Sequence, residues 1–223
     1  MGRSAMQLWE RYAGSTEWLY SAVVADVLDS LGRADFALPI HLRPLRNDWK
    51  LFGRAATLSA VSVAEVPASP YAAELAFVDS LRQGDVLVAT TNGDCSCALW
   101  GELLSTASRA RGAVGAVIDG LTRDAAKIMD MNFPVFAAGF SPLDSKGRID
   151  GVSHGRPIRV GTCVVRPGDL ILGDIDGLVT IPQEVAEETL SRALAKATGE
   201  NKVREELARG RSVVEVFAEY GIL

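Results

Sequence analysis

The sequence is poor in the residues that staples, zinc sites and imidazole chemistry draw on. Three cysteines, Cys95, Cys97 and Cys163, are spread over 223 residues. An odd count in a chain this long argues for a reducing compartment and against a disulfide framework. Cys95 and Cys97 form a Cys-x-Cys without the second pair a structural zinc site needs, so they read as small buried packing residues. There are two histidines, His41 and His154, and His154 in Ser-His-Gly reads as a solvated loop residue. Neither sign of charge is in large surplus: 23 Lys and Arg stand against 28 Asp and Glu, the net charge is −5 and the pI is near 5.2. That balance leaves no nucleic-acid footprint. No apolar run approaches the length that crosses a bilayer. The opening stretch MGRSAMQLWERYAG has no long apolar core, which argues against a signal peptide. The expectation is a soluble cytoplasmic protein.

What is present is ordinary in bulk. Hydrophobic residues make up 48% and charged residues 23%, the composition of a globular chain able to bury a core without staples. Met6–Tyr12 reads as a short helix. Ser15-Thr16 are candidate caps for a second, with Leu19, Val23, Val27 and Leu31 at helical spacing and Gly32 ending it. Residues 33–50 read as a loop-rich surface or interface segment. Leu51–Val66 reads as a strand, or two with a bulge at Gly53. Ala72–Leu81 reads as a short helix, Phe133–Ala138 as a strand, 141–155 as a polar loop, and Ile158–Val165 as a strand interrupted at Gly161. Leu170–Leu172 and Leu178–Ile181 are strands joined by an acidic turn at 173–177. A helical region follows Pro182, with Gly199 a possible break, and Val213–Tyr220 closes the chain. The simplest organisation is a single α/β domain over 1–223, with N-terminal helices and a C-terminal helical arm.

The chain is organised around Gly84–Asp124, which reads as strand (Asp85–Thr90), glycine-bearing loop, helix (Leu103–Arg111, with Gly112 after it) and strand (Ala113–Ile118, broken by Asp119-Gly120). Arg123-Asp124 falls just past the second strand. Ligands of α/β sheets gather outside the carboxyl ends of strands, so the two loops should converge there with Glu102, Arg123 and Asp124. A carboxylate in such a turn suits Mg²⁺, which keeps several waters and takes one or two protein carboxylates. The neighbouring Arg123 offers fixed positive charge to an oxyanion. The N–H groups of Gly101, Glu102, Leu103 and Leu104 open a helix and suit a substrate carboxylate. Spacing alone favours a solvated Arg-Asp turn, which is common, and a Glu102 that merely complements the helix dipole. Lys146 and Arg148 read as a solvated loop, Asp174 and Asp176 as a turn, and Trp100 as core or interface.

Longer blocks resemble one known family. They are Gly84-Asp85, Leu99-Trp100-Gly101-Glu102-Leu103-Leu104, Ile118-Asp119-Gly120 with Arg123-Asp124, Phe133-Pro134-Val135-Phe136, Arg166-Pro167-Gly168-Asp169, and Asp174 through Pro182. The chain is similar over roughly 20–220 to the 4-hydroxy-4-methyl-2-oxoglutarate aldolases and RraA-like regulators of ribonuclease E. The most specific feature is an acid, twenty intervening residues, then Arg-Asp, here Glu102 and Arg123-Asp124. The resemblance implies a three-layer β/β/α swivelling-type α/β fold, assembled as a trimer or hexamer with sites between subunits. It implies a divalent-metal-dependent pyruvate lyase that cleaves 4-hydroxy-4-methyl-2-oxoglutarate-type 2-oxo acids or decarboxylates oxaloacetate. Asp124 then ligates Mg²⁺ or Mn²⁺ directly and Arg123 stabilises the enolate. Residues 101–104 hold the pyruvyl carboxylate, and Glu102 and a neighbouring subunit's Glu200, with Glu205 as rival, hold metal-bound water. Glu102 stands where the family's aldolases carry Asp. The alternative implied by the resemblance is a protein-binding inhibitor of ribonuclease E. No glycine-rich nucleotide loop with a trailing acid is present.

Overall fold

The computed structural model describes residues 5–15 and 17–222. Helices α1 (Ala5–Tyr12) and α2 (Ser21–Ser30) open the chain. They are followed by β1 (Arg43–Pro44), β2 (Leu51–Ser62), α3 (Ala72–Ser80), β3 (Asp85–Thr90), β4 (Ala98–Trp100), α4 (Glu102–Ala110), β5 (Gly115–Thr122), α5 (Ala125–Asp130), β6 (Val135–Phe140) and β7 (Ile149–His154). The chain ends with β8 (Ile158–Val160), β9 (Cys163–Val165), β10 (Leu170–Asp174), β11 (Gly177–Ile181), α6 (Ala186–Ala208) and α7 (Val213–Tyr220). Nine strands make one mixed sheet in the order β1-β6-β5-β3-β2-β10-β11, with β4 on β5 and β7 on β2. Strands β2, β3, β5 and β6 run parallel, and β10, β11, β7 and β1 pair antiparallel to their neighbours.

Period-2 alternation sends successive side chains of these strands to opposite faces. On one face Val86, Val88, Val117, Phe136 and Ile171 line a shared interior, plugged by Ile158 and Val160 of the β8–β9 hairpin. On the other face Leu87, Ala116, Ile118 and Val135 pack under α3, α4 and α5. Leu170, Leu172, Val179 and Ile181 pack under α1, α2 and α6. The sheet therefore buries both faces, as apolar parallel strands require; the expected α/β fold forms, and its sheet is curled and nearly closed.

Several local expectations are corrected. Residues 33–50, read as a loop-rich surface or interface segment, form a seam between strands of this chain. Leu38 N–H donates to Leu178 O at 2.9 Å and Leu45 N–H to Val135 O at 3.0 Å, so the segment ties β11 to β6 and nearly closes the sheet. Leu38, Leu42 and Trp49 are buried by it. β2 is one strand, and its irregularity lies at Ser59/Ala60 rather than Gly53. β5 continues through Asp119-Gly120. Gly120 adopts φ 158 and the register on β6 shifts between Ile118 and Leu121, so the break is a bulge, which re-aims the strand's last residues. β4 and β7 are strands where loops were expected. Gly199 does not break α6; a methyl there would stand 2.9 Å from Ile222 Cδ1, so its smallness serves packing. Helix α2 starts at Ser21 after Tyr20, with no side-chain cap. Ser15 lies in a preceding 3₁₀ turn and Thr16 lies outside the described residues. Asp174 accepts both the Ser21 N–H and Oγ–H, which anchors that helix to the β10–β11 turn. Of the two cysteines expected to be buried, Cys97 is and Cys95 is exposed; Cys163 is buried as well.

Candidate active site

Strands β4 and β5 lie parallel, so their carboxyl ends open side by side. Backbone bonds lock the two exits together: Arg123 N–H donates to Trp100 O at 2.9 Å, and Thr122 Oγ–H donates to the same carbonyl at 3.2 Å. Trp100 itself is core, its indole N–H held by Ser105 Oγ at 2.8 Å. Gly101 follows in extended conformation as the N-cap of α4, with no side-chain cap. The first N–H groups of α4 therefore lack intrahelical acceptors, and one of them, Glu102 N–H, faces Asp124 Oδ2 at 3.4 Å.

Asp124 sits at φ 56, ψ 29, a left-handed conformation rare outside glycine, and starts α5. That kink turns its carboxylate back toward Gly101. Arg123 Nε lies 3.8 Å from Asp124 Oδ2, while Arg123 Nη2 pairs with Asp144 Oδ1 at 3.2 Å. Asp144 accepts the Tyr71 hydroxyl proton through its other oxygen. Burial, together with that bond, pushes the Tyr71 phenol up to about 12. Tyr71 is itself left-handed, at φ 65, where it precedes α3. A pocket of about 280 Å³ lies among these groups, with Leu99, Leu103 and Leu104 as apolar wall. Of the expected convergence of Glu102, Arg123 and Asp124, Arg123 and Asp124 line the pocket together with Gly101, and Glu102 reaches Asp124 through its backbone N–H alone.

The carboxylate of Glu102 is differently disposed from its expected role. It folds back along α4 and accepts the Thr106 hydroxyl at 2.9 Å, leaving its backbone N–H as its contact with Asp124. Glu200 lies on α6 beside α2, bonded by the Tyr20 hydroxyl and 4.0 Å from Arg204, away from this chain's own pocket. Glu205 pairs with Arg209 at 3.9 Å on the exposed side of α6. His154 lies on strand β7 and not in a loop, beside Phe77 at 5.8 Å and outside the pocket lining. Asp144, Tyr71 and Glu74 were not anticipated, although all three line the pocket.

No group of three or more His, Cys, Asp or Glu side chains able to hold a metal exists among the described residues. No zinc-type cage is built by these residues, and Asp124 is a partly exposed carboxylate beside the α4 start, with Asp144 across Arg123 from it. Such a donor fits a hard divalent cation that keeps its waters and takes its remaining oxygens from a substrate.

Fold and site together define a mixed α/β domain whose pocket pairs a carboxylate and a guanidinium at the carboxyl ends of two parallel strands. The RraA-like model, described as Aldolase/RraA, matches residues 21–180, and the chain belongs to that family. It is 32% identical over 174 residues to a Halalkalibacterium halodurans protein provisionally named a 4-hydroxy-4-methyl-2-oxoglutarate aldolase, covering 78% of this chain and 77% of that one. It is 26% identical over 200 residues to protein DlpA of Legionella pneumophila, covering 90% of this chain but spanning 32% of DlpA's length. The crystal structure of Streptomyces coelicolor RraAS2, described as an unusual member of the RNase ES inhibitor RraA protein family, superimposes with a TM-score of 0.72 at 27% identity, covering 86% of this chain and 92% of that one. No helix among the described residues is long and apolar enough to cross a membrane.

Proposed function

We propose that the chain is a divalent-metal-dependent pyruvate lyase acting on 2-oxo acids. The observation that carries the reading is Asp124 turned toward the uncapped start of α4 with Arg123 beside it. A 2-oxo acid presents a carboxylate and a keto oxygen on adjacent carbons. The N–H groups of Leu103 and Leu104, next to the Glu102 N–H that Asp124 accepts, suit the carboxylate, and the Arg123 guanidinium suits the keto oxygen, where negative charge develops. Asp124 would hold the cation, Mg²⁺ or Mn²⁺, which supplies Lewis acidity toward that oxygen. In retro-aldol cleavage the C4 hydroxyl loses its proton and the C3–C4 bond breaks. Its electron pair passes into the pyruvyl unit as an enolate, C4 becomes a carbonyl, and C3 then takes a proton to give pyruvate. Loss of CO₂ from oxaloacetate leaves the same enolate, so one site serves both. Asp144 holds Arg123 in place by an ion pair at 3.2 Å.

The test is pyruvate release from 4-hydroxy-4-methyl-2-oxoglutarate and from oxaloacetate, coupled to lactate dehydrogenase, with Mg²⁺ and then with EDTA. Activity is expected to vanish with the chelator and in Asp124→Ala. Release unaffected by either change rejects the reading. The likeness to RraAS2 favours a second reading, a regulator that binds ribonuclease E. Direct binding to that enzyme, with no turnover of any 2-oxo acid, would put it first.

A further inference from the structure

Retro-aldol cleavage needs a group that takes the C4 hydroxyl proton. Among the described residues, the ionisable side chains lining the pocket are Tyr71, Glu74, Arg123, Asp124 and Asp144. In the lyase reading Asp124 holds the cation and Arg123 the keto oxygen. Both carboxyl oxygens of Glu74 are closed to solvent and cannot meet a substrate. Glu102 is turned back onto Thr106. Tyr71 and Asp144 remain, and they are bonded to each other. Each is fixed from its own segment. Tyr71 holds a left-handed φ of 65, a conformation that persists only where the surroundings over-determine it, and its backbone N–H donates to Asp150 Oδ1 at 3.3 Å. Asp144 forms an isolated bridge with Ala98 of β4, whose N–H donates to Leu143 O at 2.9 Å. Arg148 Nη1 donates to the Asp144 carbonyl at 2.9 Å.

We propose that Tyr71 and Asp144 form a proton relay for the C4 hydroxyl, with Tyr71 the group that touches it. This assignment rests on the lyase reading. The Tyr71 hydroxyl donates to Asp144, which leaves its oxygen lone pairs free to accept the substrate O–H. As the C3–C4 bond breaks, the C4 hydroxyl proton moves to Tyr71 Oη, and the phenol's own proton moves to Asp144 Oδ2. C4 becomes the carbonyl and the bonding pair passes into the enolate. Asp144, its side chain 34% exposed, then gives the proton to water, and C3 takes one from water. A phenol pushed up to about 12 stays protonated near neutral pH, so Tyr71 passes on a proton only as it gains another. The two oxygens of Asp144 divide the work: Oδ1 meets Arg123 Nη2 at 3.2 Å, and Oδ2 meets the phenol.

The test sets cleavage of 4-hydroxy-4-methyl-2-oxoglutarate against two reactions that reach the pyruvyl enolate without a C4 hydroxyl. These are decarboxylation of oxaloacetate and exchange of pyruvate's methyl protons in deuterium oxide. All three are followed by proton NMR with Mg²⁺ present, each corrected for the rate without protein. Tyr71→Phe is expected to lower kcat for the cleavage by about 100-fold or more, the scale of general acid–base catalysis, and to leave the other two within about threefold. A purely structural role for Tyr71 would lower all three together, and the two controls also report that the variant folds. Equal losses in all three, or cleavage by Tyr71→Phe within about threefold of wild type, overturns the relay and leaves the lyase standing. Wild type that runs the cleavage without either control, or a control without the cleavage, also overturns the relay. Pyruvate from neither substrate overturns both readings.

Discussion

Replacing Gly101 with alanine would add one methyl group where the site has least room. The new Cβ would stand 2.9 Å from Asp124 Oδ2, 3.2 Å from Arg123 Cγ and 3.4 Å from Arg123 Nε. Ordinary carbon–oxygen contact needs roughly half an ångström more than the first of these. The backbone at Gly101, φ −162 and ψ −172, is open to any residue, so the strain falls on the two side chains. Both are more than a third exposed and can swing outward. The stability change should therefore stay within about 0.5 kcal/mol, as for surface substitutions, and Tm should move by roughly 2 °C or less. Function should suffer far more. A misplacement approaching 1 Å can cost on the order of 100-fold, so a shift of about half that size should reduce kcat/KM by roughly 10- to 100-fold, or about 1.4–2.7 kcal/mol. The measurement is steady-state pyruvate release across a Mg²⁺ titration, beside a thermal melt. Gly101→Ala with wild-type kcat/KM and wild-type Mg²⁺ dependence would refute the placement of Asp124 against Gly101 as the working geometry.

Three further outcomes follow from the same structure. Arg123→Lys keeps the charge but not the planar fork; kcat should fall by about 10²–10³ with an unchanged circular dichroism spectrum, and a loss under threefold counts against its contact with the keto oxygen. Arg54 holds Asp85 through two bonds at 3.0 and 2.5 Å, and Asp85 is 7% exposed. Arg54→Met should therefore cost about 3–5 kcal/mol and lower Tm by roughly 10 °C; an unchanged melt contradicts the pair's importance. Burial raises the Glu74 pKa in the folded state above its unfolded value, so folding favours its protonated form, and that contribution is lost as pH rises through the folded pKa. The stability advantage of Glu74→Gln over wild type should therefore widen upward through the carboxylate range in urea melts, and a gap that narrows refutes the sign.

The stretch from β3 to α5 was legible because its apolar β-branched runs, glycines and helix-forming segment follow one another at spacings that α/β folds use. β4 was not, since three residues carry no period, and its strand character comes from pairing with β5. β7 was not, because Asp150, Gly151 and Ser153 read as loop; its pairing with β2 is a tertiary choice. Expecting a break at Asp119-Gly120 treated a bulge as an end, although the bulge is what delivers Arg123 and Asp124 to the pocket. Asp144 and Tyr71 come from segments remote in sequence, and nothing local marks them. Glu74 did leave a signal: with Phe77 and Val78 it occupies i, i+3 and i+4 on the buried face of α3, an acid written into a core stripe.

The seam formed by residues 36–45 carries a consequence for how the protein is made. Phe36 O accepts from Thr180 N–H, Leu38 N–H reaches Leu178 O, and Arg43 Nη1 reaches the carbonyls of Ile175 and Asp176 at 3.0 and 2.9 Å. These partners are separated by more than 130 residues. On a ribosome the early segment must wait, its edge unpaired, until β11 has emerged. Loop closure of that span is slow and entropically opposed. Truncation after β10 should therefore leave an open-edged, aggregation-prone chain and not a smaller version of the protein.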